Sequence, residues 1–162
     1  WTKHVEFQRY LDLPSRRPVH FELAVSDDSE ARRDLPANGW HTQSAIEVSS
    51  DLDRYRRFIV DSTAEFTVAR DQYVRPRTGW FSDRSACFLA AGRPVITQET
   101  GFSEYLPTGR GLFAFSDIDE VLAAVDAIEA DPVGESRAAR EIAREYFATD
   151  RVLPRLLRDL EP

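Results

Sequence analysis

Apolar and polar residues change their period several times along this chain. Residues 19–25 begin by alternating and are rich in β-formers, which predicts a strand. Residues 66–69, 94–97 and 111–115 are further short strand-like runs, and residues 41–47 form a weaker one. Helical spacings lie between them. Leu52, Tyr55 and Ile59 follow the capping pattern Ser50-Asp51-Leu52-Asp53, and Ile118, Val121, Leu122, Val125 and Ile128 follow Ser116-Asp117-Ile118-Asp119. Residues 85–91 are apolar on every side and predict a buried helix ended by Gly92. Residues 27–35 suit a short helix stopped by Pro36-Ala37-Asn38-Gly39. Two more helices close the chain, one around residues 142–147 and one carrying Val152, Leu153, Leu156, Leu157 and Leu160. Residues 3–13 are amphipathic without deciding between helix and strand, residues 14–18 read as a connector with Arg16 and Arg17 solvated, and residues 70–82 read as a polar loop. Strands separated by helices predict an α/β fold with a mostly parallel sheet covered on both faces.

Composition narrows the function classes. At 162 residues the chain is one domain of ordinary size. A net charge of −7 argues against a general nucleic-acid binder, and no apolar run approaches the roughly 20 residues of a membrane span, so neither nucleic acid nor a transmembrane segment is expected. A single cysteine excludes a disulfide framework, and three scattered histidines make a zinc site improbable. A cytoplasmic setting is the default. The chain opens on Trp1 and has no Met, as a piece of a longer polypeptide would. One of its 21 basic residues is lysine, a bias that a GC-rich genome explains. Five of seven glycines (Gly79, Gly92, Gly101, Gly109 and Gly111) fall in one short stretch, where the backbone must turn or come close to something.

In open parallel sheets, ligands sit at the carboxyl ends of the strands, where a helix N-terminus can face an anion. Two places qualify, around residues 70–85 and 98–104. The first holds four arginines and two aspartates and leads into a helix with free amides and the hydroxyls of Ser82 and Ser85, which suits a phosphate or diphosphate. The competing reading is that Ser82 or Asp83 caps the helix and the arginines are solvated. Asp51-Leu52-Asp53 and Asp117-Ile118-Asp119 resemble D-x-D metal motifs, but helix capping explains them, and no metal is expected. Cys87 reads as a small buried hydrophobe. His4, His20 and His41 lack ligand spacing. Gly109-Arg110-Gly111 precedes a strand and lacks the third glycine of a dinucleotide fingerprint. No P-loop lysine exists, and a receiver-type site using Asp27 and Asp28 would lack its lysine too.

The runs Glu65–Gln72, Ser82–Phe102 and Leu106–Phe115 carry a resemblance to a known family. They resemble the C-terminal half of GT-B-fold glycosyltransferases, most closely a bacterial group with a Gly-Trp-Phe-Ser-Asp-Arg-Ser segment, here residues 79–85. The likeness extends to the opening Trp1-Thr2-Lys3-His4. It implies a Rossmann-like three-layer α/β/α domain over residues 19–162, with residues 1–18 as the connecting segment from a missing N-terminal half. That domain would bind a UDP- or GDP-linked sugar as substrate, with no cofactor, while the N-terminal half of the same parent chain holds the acceptor. The isolated domain would be inactive. By the same likeness the donor and its phosphates would meet Arg70, Asp71, Gln72, Ser82, Asp83, Arg84 and Ser85, with Thr100, Gly101, Phe102 and Glu104 beside the sugar. Aligning on Ala91-Gly92-Arg93-Pro94 puts the paired glutamates of many retaining members at Gly79 and Cys87, and one glycine of the usual Gly-Gly loop is replaced. A catalytically inactive GT-B-like module for binding or assembly is therefore the alternative.

Overall fold

The structure, a computed structural model, describes residues 3–27 and 31–159. Trp1 and Thr2 of the opening likeness, Asp28 of the receiver reading and Leu160 of the last expected helix lie outside the described residues. The amphipathic opening is helical. Helix α1 (Lys3–Phe7) runs into a 3-10 turn (Gln8–Tyr10), and Tyr10 and Leu13 are buried in the core. The expected connector contains a further helical turn, α2 (Leu13–Arg16), because Pro14 is pre-set for a first helical turn. Arg16 is exposed as expected and bonds Asp12 at 2.8 Å, and the partly exposed Arg17 pairs with Asp126 and Glu129.

Strand β1 (Glu22–Val25), the turn α3 (Ala31–Asp34) and strand β2 (His41–Ser44) follow. The predicted strand over 41–47 stops at Ser44, because the Ser44 hydroxyl accepts from the Glu47 N–H and starts α4 (Ala45–Ser49). In α5 (Leu52–Asp61) the cap is Asp51, which accepts from the Arg54 N–H at 2.8 Å. Leu52, expected on the buried face, is 86% exposed because it sits in the helix's first turn, beyond the packed surface. Strand β3 (Glu65–Thr67) is followed by the single turn α6 (Asp71–Val74) within the expected loop, then by α7 (Asp83–Ala90). Helix α7 is not apolar all round in its setting. Ser85, Phe88 and Leu89 face inward, whereas Cys87 and Ala90 are exposed, so the buried reading of Cys87 is corrected. Strands β4 (Val95–Gln98) and β5 (Leu112–Phe115) precede α8 (Ile118–Ala130), capped by Asp117, then α9 (Pro132–Tyr146) and α10 (Thr149–Asp159).

Every ladder is parallel. Strand β1 pairs with β2, and β3–β4–β5 form a second sheet with Glu65 opposite Val95 and Val95 opposite Leu112. Alternation in β4 and β5 feeds a core on each face. Ile96, Phe113 and Phe115 join Val121, Ala124, Val125 and Ile128 of α8 on one side. Val95 and Leu112 join Phe88 and Leu89 of α7 and Ala139, Ile142 and Ala143 of α9 on the other. This is the expected three-layer, Rossmann-like α/β arrangement, with its hydrogen bonding divided between β1 and β3. Aromatic rings bridge the division, with Phe7 5.0 Å and Phe66 6.0 Å from Trp40. Beside them opens a cleft of about 1650 Å³, walled by β1 and α4 on one side and by β3, α5 and the start of α7 on the other.

Candidate functional site

Helix α1 is tied across the carboxyl ends of the second sheet. Gln98, at the end of β4, accepts from the Ala69 N–H at 3.0 Å and donates to Glu6 at 2.9 Å. This anchor brings Lys3 to β3. The strand's alternation sends Phe66 into the aromatic core and leaves Glu65 and Thr67 on the opposite face. There the Thr67 hydroxyl accepts from Arg84 at 2.8 Å and from Lys3 at 3.3 Å, and Arg84 Nε donates to Glu65 Oε1 at 2.5 Å. Lys3 also lies 6.0 Å from the Trp80 ring centroid, and that ring stacks on Tyr73 at 4.9 Å. Arg70 is exposed on the same cleft and has no ion-pair partner among the described residues.

The positive groups of the cleft gather at one end. Lys3, Arg70 and Arg84 stand there beside the buried Glu65 and the exposed Asp83, while Glu22, Glu47 and Asp61 line the cleft elsewhere. Burial lowers the Lys3 ammonium to about 8; Arg84 and Arg70 push the same way and Glu65 opposes them. Burial also raises the Tyr55 phenol, which lines the same wall. The arrangement is a partly desolvated cationic wall beside the first turn of α7, the electrostatic setting in which a bound anion gains most.

The sequence-predicted residues fall into separate groups. Arg70, Ser82, Asp83 and Arg84 line the cleft. Ser82 is buried at the N-cap of α7 but makes no side-chain cap bond, whereas Asp83 accepts from the Arg84 N–H at 2.8 Å. The four arginines of the loop divide. Arg75 pairs with Asp71 at 2.5 Å, Arg77 with Glu104 at 3.3 Å and Arg84 with Glu65, whereas Arg70 has no ion-pair partner among the described residues. Asp71, Gln72 and Ser85 stand off the cleft wall, Ser85 fully buried with its Oγ unpartnered.

The remaining four residues belong to a different construction. Thr100 donates to the Trp80 carbonyl at 2.5 Å and its own carbonyl takes the Gly79 N–H at 2.7 Å. Gly101 holds φ +95, and a Cβ there would lie 2.9 Å from the Arg77 carbonyl oxygen. Phe102 is buried against Phe81 with ring centroids 5.4 Å apart. None of Thr100, Gly101, Phe102 and Glu104 lines the cleft.

Sequence reasoning missed Lys3, Glu65, Thr67 and Tyr55. A usable signal existed for Lys3, the single lysine in an arginine-rich chain, and for Glu65 and Thr67, polar residues alternating with Phe66 and Val68.

Fold and cleft together define a Rossmann-like α/β domain with a cleft between β1 and β3 whose α7 end gathers basic side chains. Residues 13–156 match the glycosyl transferase-like family, and the chain belongs to that family. The matched span contains every cleft residue named above except Lys3. No curated protein matches the chain. No helix among the described residues is long and apolar enough to cross a membrane.

Proposed function

We propose that this chain is the donor-binding, C-terminal half of a GT-B glycosyltransferase, and that its cleft takes the diphosphate of a UDP- or GDP-linked sugar. The acceptor then sits on an N-terminal half of the same parent chain. The observation that carries this reading is the cluster of basic side chains at the α7 end of the cleft, where Lys3 and Arg84 converge on one hydroxyl and Arg70 has no ion-pair partner among the described residues. As the bond from the sugar's anomeric carbon to the diphosphate breaks, negative charge builds on the departing phosphate oxygen. Fixed cations and the α7 first turn stabilise that charge without reorganising, the largest single contribution in many such sites. Arginine and lysine supply the positive potential, so the reading needs no metal. Calorimetric titration with UDP, GDP and their sugar conjugates tests it, with one-to-one binding expected. A folded chain that binds none of them contradicts it.

A second reading, a binding or assembly module without catalysis, is favoured by one observation. Cys87 stands exposed on α7 where many retaining relatives carry a glutamate. Donor binding by the full-length protein without transfer or hydrolysis would select it.

A further inference from the structure

One polar atom of the cleft wall has no explanation within the fold. Glu65 is 5% exposed, and its Oε1 is held by Arg84 at 2.5 Å, yet Oε2 is buried without a hydrogen-bond partner. The chain carries its own control. Glu135 is equally buried, but both its oxygens are engaged, Oε1 by Arg110 at 3.1 Å and Oε2 by the Gly111 N–H at 2.5 Å. Leaving a buried acceptor unpaired costs about 1–3 kcal/mol, more when it is charged. At Glu135 the fold meets that demand with a backbone amide. At Glu65 no donor is placed on Oε2, and the Lys3 ammonium and the second Arg84 nitrogen bond the Thr67 hydroxyl instead. Glu65 also lines the cleft, between Thr67 and Tyr55.

We infer that Glu65 is a ligand-contacting residue whose second oxygen, closed to solvent in this structure, turns into the cleft to accept a hydroxyl hydrogen from a bound polyol, the ribose or the sugar ring of the nucleotide-sugar. This rests on the donor reading above. A carboxylate held through one oxygen by Arg84 is acceptor-only, so it selects a hydroxyl and repels a phosphate. It therefore sets the ligand's direction in the cleft, with the hydroxylated part over Glu65 and the diphosphate toward Arg70.

The test is a calorimetric titration of the wild-type chain and Glu65→Gln with UDP and GDP, their 2′,3′-dideoxy counterparts, and the corresponding nucleotide-sugars. Gln keeps an oxygen for Arg84 and replaces the free acceptor with an N–H donor. If the ribose is the partner, removing its hydroxyls weakens wild-type binding about tenfold or more and weakens Glu65→Gln less, because a neutral amide bonds a hydroxyl more weakly than a carboxylate does. If the sugar is the partner, the dideoxy change is neutral, and the wild-type gain of nucleotide-sugar over nucleotide shrinks in Glu65→Gln. Hydroxyl-dependent differences of the same size in the variant overturn the inference and assign Oε2 to a resident water. Glu65→Asp, which keeps the charge on Arg84 but withdraws the second oxygen, gives the same comparison should Glu65→Gln fail to fold. Wild-type binding of no nucleotide overturns the donor reading and this inference with it. Nucleotide binding indifferent to every hydroxyl overturns this inference alone.

Discussion

The cleft wall and the loop from Thr100 to Glu104 are both glycosyltransferase-like in sequence, yet they use their polar groups in opposite ways. The loop spends them internally. Its threonine hydroxyl, backbone carbonyl and terminal carboxylate all bind the neighbouring loop at Arg77, Gly79 and Trp80, and its glycine is packed against backbone. The cleft wall keeps capacity in reserve, with an unpaired arginine, a desolvated lysine and a carboxylate oxygen without a donor. A motif match identifies both, but only unspent charge and hydrogen-bonding capacity marks the one positioned to hold a ligand. In this structure the loop fixes the course of residues 77–81 just ahead of α7.

This contrast can be broken by substitution. Phe102→Ala should cost about 3–5 kcal/mol of folding stability, since the ring is fully buried against Phe81, while the folded fraction binds nucleotide as before. Thermal denaturation alongside titration reads both quantities, and a loss of affinity at intact stability would move the loop into the site. Arg84→Ala should cost about 3 kcal/mol, because it strands the buried Glu65 charge, and should weaken nucleotide binding as well. Its effects are mixed, which makes it a poor probe of the site alone. Gly101→Ala should cost about 2–3 kcal/mol through its left-handed φ and the close Arg77 carbonyl, again without a separate effect on affinity. Arg70→Ala is the converse, with stability changed by less than about 0.5 kcal/mol and nucleotide affinity reduced about tenfold.

The smallest effect is the pH dependence of Lys3. Its folded value of about 8 lies below the ordinary 10.5, so the fold disfavours the charged form. The resulting penalty is present in full below pH 8 and is relieved as the pH rises toward 10.5, so this lysine makes stability increase across that window. Lys3→Met should flatten the increase in denaturation curves taken from pH 7.5 to 10. Anion binding has the opposite trend, because only the ammonium attracts phosphate, so wild-type affinity should fall as pH passes 8.

Much of the fold was legible in the sequence because each element carries a local signal. Asp117 starts α8, Gly92 ends α7 with a positive φ, and the apolar runs of β4 and β5 announce strands buried on both faces. The misreadings share a cause, since local pattern does not show which side of an element meets the rest of the chain. Cys87 looks buried in its own helix, and Leu52 looks like part of a helical stripe, yet both face solvent. The site was half legible for the same reason. Arg70, Ser82, Asp83 and Arg84 are close in sequence and were found together. Lys3 and Glu65 are 62 residues apart, and only the docking of Glu6 on Gln98 brings them to one wall. The division of labour between Arg70 and Arg84 needed the ion pairs themselves.

Because Lys3 is the single lysine, its acylation reports on the cleft directly. The most direct test of a donor nucleotide in this cleft is the rate at which an amine-selective reagent modifies Lys3, followed by peptide mass, with and without saturating UDP or GDP. Bound diphosphate raises the Lys3 ammonium's pKa and covers it, so modification should slow about tenfold or more with the matching nucleotide. A Lys3 rate unchanged by either nucleotide, whether because neither binds or because binding occurs elsewhere, would contradict the account.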